Sequence, residues 1–248
     1  MSVIVVYSHA FFVIVYDMIE NIVIIPAGGT GSRLNANLPK QYMLLGDKPV
    51  LMHTIGLFED QVDKIIICIH ADMLDYWNQL CDQYQFTIPH DIIIGGKTRF
   101  QSVKNAITYL EDRYSEIFYN ENSIIAVHDA ARPLVDSDLI KESIETAKSG
   151  KCNVLAQKSI NSIRIGSKEI NTATDRDNVW QIQTPQSFPA AIVKEAYSQE
   201  ESPLFTDDAS VVEKIGYPIH LIISNSKNLK ITYPEDFEIA KLYMNTIC

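Results

Sequence analysis

Short runs of aliphatic residues alternate with amphipathic stretches along most of this chain, and this rhythm constrains the fold more than any other feature. The runs are apolar throughout rather than at every second position, which indicates strands buried on both faces, as in a parallel sheet. Six strands are predicted, at residues 22–25, 64–69, 90–94, 123–127, from 154–156 onward, and at 219–223.

The stretches between these runs have helical spacing. Within 72–84, for example, Leu74, Trp77, Leu80 and Cys81 fall on one side of a helix. Strands that alternate with helices predict an α/β fold with a doubly wound, mostly parallel sheet, whose ligands bind at the carboxyl ends of the strands. Five helices are predicted, at 49–58, 72–84, 99–110, 137–149 and 234–244, the fourth with Ser137 as its N-cap.

Residues 157–182, here called the arm, break the rhythm. They are polar and read as two strands around a turn at Gly166. A hairpin this polar has little to bury against its own domain. The pattern leaves two interpretations, an ordinary exposed hairpin or an arm that is covered by another subunit. With no repeat or linker elsewhere, residues 18–248 are predicted to be a single domain that carries this arm.

The first residues form a separate apolar stretch, 3–16. It is shorter than the roughly 20 apolar residues that a membrane-spanning helix needs. A signal peptide carries Lys or Arg before its apolar stretch, and none precedes this one. We expect residues 1–17 to be a non-native extension, with Met18 as the natural first residue. An extra strand and an interfacial anchor are the alternatives, and N-terminal sequencing of natively expressed protein decides between them.

The chain of 248 residues has a formal charge of −10 at neutral pH. Each phosphate contact needs a Lys or Arg, so this charge argues against a general binder of nucleic acid or of an anionic membrane. A local cluster of cations around a small anionic ligand remains compatible with it. Cys68, Cys81, Cys152 and Cys248 have neither C-x-x-C nor zinc-site spacing, which predicts reduced thiols in a cytoplasmic protein.

A glycine-rich loop, PAGGTGSR, follows the first strand and ends at Arg33. Glycines after a strand let backbone N–H groups approach a phosphate. The loop has neither the Lys-Ser/Thr of a Walker A motif nor the spacing of a dinucleotide-binding fingerprint. Arg33 and, farther along the same connection, Lys40 supply two cations, which suits a triphosphate.

Two later motifs also follow strands. In GGKTRFQS, the glycines leave room for a base, and Ser102 is either a partner for a base edge or a helix-surface residue. In HDAARP, Asp129 and Arg132 suit a metal–phosphate or a sugar hydroxyl, with a local ion pair as the plain alternative. For His128 we favour a packing or hydrogen-bonding role over that of a general base.

Three more residues are compatible with phosphate binding. Arg176 lies in the arm, Thr184 lies in QTPQ, and Lys230 lies in NLKIT. A single lysine is usually a solvated surface residue. Lys230 follows the sixth predicted strand, however, and therefore belongs at the same end of the sheet as the other motifs.

In order along about 21–244, the chain carries the motifs AGGTGSR, LPKQY, GGKTRFQSV, VHDAARP, DRDNVWQIQTPQSF, TDDAS and NLKITYPEDFEIA. This series resembles that of the 2-C-methyl-D-erythritol 4-phosphate cytidylyltransferase family of non-mevalonate isoprenoid biosynthesis. Related enzymes that load ribitol 5-phosphate or other polyol phosphates share most of the motifs. HDAARP, TDDAS with Glu213, and NLKITYPED favour the methylerythritol branch.

The resemblance implies a Rossmann-like nucleotidyltransferase that transfers CMP from CTP to 2-C-methyl-D-erythritol 4-phosphate and releases pyrophosphate. It implies Mg²⁺ bound mainly through the phosphates, with Asp129 as a candidate ligand, and a homodimer formed through the arm. The alternatives are a ribitol-5-phosphate cytidylyltransferase and, in another class, a non-catalytic nucleotide-binding module.

The resemblance also implies roles for individual residues. Ser162 stands where the family usually has threonine, which keeps the hydroxyl but loosens the assignment of the acceptor. Catalytic roles fall to Arg33, Lys40 and Lys230; CTP contacts to Ala27, Gly28, Gly29, Gly96, Ser102 and Asp129; and acceptor contacts to Arg132, Ser162, Arg176 and Thr184, with Ser162 and Arg176 reaching the neighbouring subunit's site.

Overall fold

A seven-stranded sheet forms the centre of the protein in the computed structural model, which describes residues 19–29 and 38–245 and the backbone of 4–8 and 11–15. The strands are β1 Ile4–Ser8, β2 Phe11–Val15, β3 Asn21–Pro26, β4 Leu44–Leu45, β5 Lys48–Pro49, β6 Lys64–Ile69, β7 Asp91–Ile94, β8 Ile124–Val127, β9 Asn153–Lys158, β10 Ile163–Gly166, β11 Asn171–Thr174, β12 Trp180–Pro189 and β13 His220–Ile223. The helices are α1 Val50–Gly56, α2 Leu74–Gln83, α3 Arg99–Arg113, α4 Ser137–Lys148, α5 Ala190–Tyr197, α6 Asp208–Glu213 and α7 Pro234–Asn245.

The strand order in the central sheet is β13-β9-β12-β8-β3-β6-β7. Every pairing is parallel except those of β12, which runs antiparallel to both β8 and β9. The chain moves outward from β3 to β6 and β7, and then returns to β8 on the other side of β3. This reversal makes the gap between β3 and β8 the topological switch point, where α/β sheets bind their ligands.

The continuous apolar strands are buried on both faces, as the sequence predicts. In β3, Val23 and Ile25 pack with the core under α1, α2 and α4, whereas Ile22 and Ile24 pack with the core under α3, α5 and α6. All six predicted strands lie in this sheet, which confirms the doubly wound, mostly parallel α/β architecture.

The seventh strand, β12, was not predicted. Its sequence, WQIQTPQSFP, mixes amides, hydroxyls and two prolines, and lacks the aliphatic run that marks the other strands. The ladder with β9 shifts register between Ile182 and Gln186, and Pro185, which has no N–H to donate, lies inside this irregularity. Such bulges re-aim side chains next to functional sites, and this one contains Thr184.

The helix predictions are right in position and differ at their ends. Helix α3 runs on to Arg113, and the short helices α5 and α6 were not predicted. Ser137 is wrong as the N-cap of α4, because Asp136 occupies that position with extended backbone angles and Ser137 is the first helical residue.

The arm contains the predicted hairpin with narrower strands. Strands β10 and β11 pair antiparallel, from Ile163 opposite Thr174 to Gly166 opposite Asn171. At the base of the arm, Gln157 and Lys158 belong to β9 and pair with Gln181 and Trp180 of β12, so both ends of the arm continue the central sheet.

Strands β1 and β2 form a separate antiparallel pair, with Ile4 opposite Val15 and Ser8 opposite Phe11. Met18 lies outside the described residues, and the non-native origin of 1–17 stays a prediction. Within the described part of the chain, no helix combines the length and apolarity needed to cross a membrane.

Candidate active site

A cavity of about 350 Å³ opens at the carboxyl ends of the strands, at the switch point between β3 and β8. Four segments that follow β3, β7, β8 and β13 build its wall, because parallel strands deliver their carboxyl-end loops to one edge of the sheet. The lining residues are Pro26, Ala27, Gly28, Gly29, Lys40, Gln41, Gly96, Lys97, Thr98, Arg99, Ser102, Asp129, Ala130, Ala131, Lys230 and Thr232.

The cavity is positively charged in a protein that is acidic overall. Among the described lining residues, the cations are Lys40, Lys97, Arg99 and Lys230, and the one carboxylate is Asp129. Anionic groups are therefore attracted to this cavity despite the net charge of −10.

Asp129 is the electrostatic centre of the site. Its Oδ2 atom lies 3.0 Å from the Nζ atom of Lys230 and 3.0 Å from the Nε atom of Arg132. On its other side, Oδ1 lies 3.8 Å from the Nε atom of Arg99. Burial by itself would raise the pKa of this carboxyl, but the charges of Lys230, Arg99 and Arg132 outweigh burial and hold the pKa far below its ordinary value.

His128 and Thr184 are buried behind Asp129, on the side away from the cavity, and hold its backbone in place. The Thr184 hydroxyl accepts a hydrogen bond from the Asp129 backbone N–H at 3.0 Å and lies 3.1 Å from His128 Nδ1. His128 Nε2 lies 3.0 Å from the carbonyl oxygen of Arg132. A carbonyl only accepts, so we assign the neutral Nε2–H tautomer, with Nδ1 accepting from Thr184. His128 is fully buried, and this hydrogen-bonding role is the one that the sequence favours.

The segment after β13 is tied to the same cluster. The Arg132 guanidinium donates to the carbonyl oxygen of Asn228 at 2.7 Å, and the Asn228 amide donates to the Thr184 carbonyl oxygen at 2.8 Å. The loop that carries Lys230 is therefore anchored to β12 and to Arg132. Lys230 itself has a half-exposed side chain, which leaves its ammonium group able to reorient.

Lys40 and Gln41 hold the loop after β3. The Lys40 ammonium donates to the carbonyl oxygen of Ile231 at 2.5 Å. The Gln41 amide donates to the carbonyl oxygens of Ala27 and Gly29 at 2.6 and 2.9 Å. These two bonds satisfy the Ala27 and Gly29 carbonyl oxygens and tie the described start of the glycine loop to the segment that carries Lys40.

The loop after β7 packs tightly on the start of α3. A Cβ atom on Gly96 would lie 2.2 Å from the Cβ atom of Gln101, so the packing at this position requires glycine. The Ser102 hydroxyl accepts from the Gly96 N–H at 3.1 Å and donates to the Thr98 carbonyl at 2.9 Å. Ser102 thus shapes the loop and lines the cavity.

Arg99 forms a bidentate ion pair with Asp208, at 2.7 and 2.6 Å. Asp208 is the first residue of α6 and is fully buried. Burial by itself would lower the pKa of the Arg99 guanidinium, but the charge of Asp208 outweighs it and keeps the group protonated.

Comparisons of sequence and of structure relate the chain to known proteins. A sequence profile of the family described as 2-C-methyl-D-erythritol 4-phosphate cytidylyltransferase matches residues 21–246. The chain belongs to this family. Similar proteins of that name occur in Bacteroides thetaiotaomicron, 38% identical over 88% of this chain and 96% of the relative, and in Porphyromonas gingivalis, 38% identical over 90% and 97%. The crystal structure of the Francisella tularensis enzyme of the same name superposes with a TM-score of 0.74 at 32% identity, covering 90% of this chain and 99% of that one.

The residues that the family resemblance predicts fall into four groups. Arg132 and Thr184 lie beneath Asp129 rather than on the cavity wall. Ser162 and Arg176 are exposed on the arm and do not line this cavity. Arg33 lies outside the described residues. The cavity is lined by Ala27, Gly28, Gly29, Lys40, Gly96, Ser102, Asp129 and Lys230.

Sequence reasoning missed Arg99, Gln41 and Asp208. Each lies inside a motif that was recognised, in GGKTRFQSV, LPKQY and TDDAS respectively. The motif does not reveal the role of Gln41, because the partners of its amide group are backbone carbonyl oxygens, which any residue type carries. The pairing of Arg99 with Asp208 joins residues 109 positions apart, and no local pattern could predict it.

His128 makes the stability of this protein depend on pH. Burial lowers the pKa of His128 from 6.5 to about 4. Between these two pH values, the imidazole is protonated in the unfolded chain but stays neutral in the folded protein. We expect the free energy of unfolding to fall by about 2–3 kcal/mol through this group between about pH 7 and pH 4.5, with stability full above that window. Urea unfolding at the two pH values measures the change.

His128→Gln should remove that part of the pH dependence, whereas His220→Gln, at an exposed position, should leave it in place. An equal pH dependence in wild type and His128→Gln would contradict a neutral, buried His128.

Proposed function

We propose that this chain transfers CMP from CTP to 2-C-methyl-D-erythritol 4-phosphate and releases pyrophosphate. The observation that carries the proposal is the cation-lined cavity at the switch point, with Asp129 binding cations from three separate segments. The names of the relatives give the nucleotide and the acceptor.

The site has to bring two polyanions together. Unit charges about 4 Å apart repel by about 4 kcal/mol at an effective dielectric of 20. In our proposal Lys40, Lys230 and Arg33 surround the reacting phosphates and stabilise the charge that develops on them. An added Cβ on Gly29 would meet no described atom within 4 Å, and this open space supports close approach of the triphosphate to the backbone.

An oxygen of the acceptor phosphate attacks the α-phosphorus of CTP in line, and pyrophosphate leaves with the electrons of the bond that breaks. This oxygen is already ionised at neutral pH, so the reaction needs no strong general base. Lys230 shares Asp129 Oδ2 with Arg132. Asp129 therefore stays paired when Lys230 turns toward a phosphate, which makes Lys230 the mobile cation of the site.

A divalent cation fits the residues present. Mg²⁺ usually binds through one or two carboxylates together with substrate phosphates and water, rather than in a cage made of protein ligands. In the described part of the chain there is no group of three His, Cys, Asp or Glu that could hold a metal alone, and Asp129 is the one carboxylate on the cavity wall. We propose that Asp129 holds Mg²⁺ jointly with the phosphates, where the ion would neutralise their charge.

The remaining assignments follow the same scheme. Gly96 and Ser102 would read the cytosine, since they lie on the cavity wall after β7. Arg132 and Thr184 hold Asp129 in place, and their contact with the acceptor stays a prediction. The motifs HDAARP and NLKITYPED favour methylerythritol phosphate over ribitol phosphate as the acceptor.

The decisive assay follows pyrophosphate release and CDP-linked product from CTP and Mg²⁺ with either methylerythritol 4-phosphate or ribitol 5-phosphate. We expect product with the first acceptor. Product with ribitol phosphate alone would move the chain to the other branch, and product with neither would indicate a nucleotide-binding module.

Lys40→Ala and Lys230→Ala should each lower turnover by about 10²–10³-fold, by analogy with the loss of a single stabilising donor. Lys194→Ala, which removes a partly exposed lysine of α5 paired with Glu111, should leave turnover unchanged. Near-normal turnover in both site variants, with folding verified by circular dichroism, would contradict the assigned roles.

We further propose a homodimer in which each arm completes the partner's site. The exposed apolar residues Ile160, Ile165 and Ile170 support this, since they are 77%, 62% and 81% exposed and cluster on the arm. Ser162 and Arg176, which the family resemblance assigns to the acceptor, point to the same arrangement because they do not line the cavity of their own chain.

Mixing two inactive variants tests this arrangement. Arg176→Ala disables the arm and Lys230→Ala disables the cavity, so a mixed dimer regains one intact site. After the subunits exchange at equal concentrations, activity should rise to about a quarter of the wild-type value, because half of the dimers are mixed and each has one good site of two. No recovery, with exchange verified by mass spectrometry, would show that the arm serves its own chain.

We propose a cytoplasmic location from the cysteine spacing, which is that of neither a disulfide framework nor a zinc site. The net charge of −10 supports small-molecule substrates without a nucleic-acid or membrane partner.

A further inference from the structure

Arg99 is assigned no contact with a substrate in the scheme above, although it lies on the wall of the cavity. Its partner Asp208 belongs to α6, more than a hundred residues along the chain, and its side chain is 0% exposed. Buried ion pairs are weak contributors to stability, since apolar residues of similar volume often replace them without loss. The pair therefore calls for an explanation other than stability.

Several hydrogen bonds hold the Arg99–Asp208 pair in one arrangement. Both carboxylate oxygens of Asp208 accept from the fork of Arg99, and Oδ1 also accepts from the Tyr197 hydroxyl at 2.5 Å. All three bonds bring a donor to the two oxygens of Asp208, an arrangement that suits an acceptor-only carboxylate. Tyr197 is itself fully buried at the end of α5, so the carboxylate has little freedom to move.

A second set of bonds fixes the start of α6. The side-chain oxygen of Gln186 accepts from the Ala209 N–H at 2.8 Å, and its amide group donates to Asp207 at 2.9 Å. Gln186 belongs to β12, two residues after Thr184, and it is buried. The position of Asp208 is thereby tied to the same strand that supports Asp129.

The fork uses one N–H of each terminal nitrogen of Arg99, and its Nε–H group lies outside the fork. This Nε–H group lies 3.8 Å from Oδ1 of Asp129, whereas Lys230 and Arg132 both approach Oδ2. Arg99 is thus the described cation on the side of Asp129 that the other two leave open. A guanidinium held by its fork can face Asp129 in one orientation only.

We propose that Arg99 is a positioning residue that holds the Asp129 carboxylate from its Oδ1 side, and that Asp208 acts through Arg99 by fixing the orientation of its guanidinium. This inference rests on the proposed cytidylyltransferase function. It assigns the TDDAS motif a part in the reaction, although Asp208 is too deeply buried to touch a substrate.

Three variants test the inference with CTP and methylerythritol 4-phosphate as substrates. Arg99→Lys keeps the charge and loses the planar fork, Asp208→Asn loses the anchor, and the double variant Arg99→Gln with Asp208→Asn removes both charges. We expect kcat to fall about 10²-fold in each, as for a misplacement of about 1 Å at a reacting centre. In Arg99→Lys, calorimetry should give a dissociation constant for CTP within about threefold of wild type, because the charge remains.

The double variant separates positioning from folding. Removing one partner of a buried pair leaves an unpaired charge, so the single variants should melt at lower temperature, whereas the double variant should recover much of the melting temperature. Its kcat should stay low. A kcat that recovers together with the melting temperature would show that the pair is only structural, and a kcat within about twofold of wild type in both Arg99→Lys and Asp208→Asn would also overturn the proposal.

Asp91→Asn is the matched control. Asp91, like Asp208, pairs with one basic side chain and one tyrosine hydroxyl, Lys64 at 2.9 Å and Tyr109 at 2.8 Å. It is partly exposed and lies at the amino end of β7, away from the cavity. We expect it to lower the melting temperature without changing kcat. Wild-type protein that makes no product would count against the proposed function itself, whereas active wild type with active variants would count against the positioning pair alone.

Discussion

The ionised carboxylate of Asp129 is the interaction on which the rest of this site depends. It lies close enough to the charges of Lys230, Arg132 and Arg99 to draw cations from three separate segments toward one point. Without a central anion, these cations would repel one another across the cavity. With it, they stay close together, and the cations on the cavity wall still outnumber the carboxylate. A protein of charge −10 can in this way hold two phosphorylated substrates.

The sheet topology places the residues of the site next to Asp129. Asp129 follows β8 and the glycine loop follows β3, so the switch between these two strands sets them side by side. The loop after β7 brings Arg99, and the loop after β13 brings Lys230. The antiparallel strand β12 adds the support from below, since its bulge presents Thr184 to the Asp129 backbone and Gln186 to α6.

The sequence predicts the sheet and most of the cavity wall because both follow from local signals. Aliphatic runs mark the buried strands, and glycines and cations at their carboxyl ends mark the loops. Strand β12 cannot be predicted in this way, because its burial comes from the neighbouring strands β8 and β9 rather than from an aliphatic run of its own. The Arg99–Asp208 pair cannot be predicted from the sequence for a related reason, because only the folded chain brings α3 and α6 together. The Ser137 assignment fails by one residue, which is the usual scale of error at a helix end.

A crystal structure of the protein with CTP would show whether the cations around Asp129 bind the nucleotide. We expect the triphosphate to lie along Gly28 and Gly29, with the Lys40 and Lys230 ammonium groups within about 3.2 Å of phosphate oxygens. Asp129 should keep its contact with Arg132 when Lys230 turns away. A triphosphate bound elsewhere, with Lys230 still paired to Asp129 and the cavity without nucleotide, would contradict it.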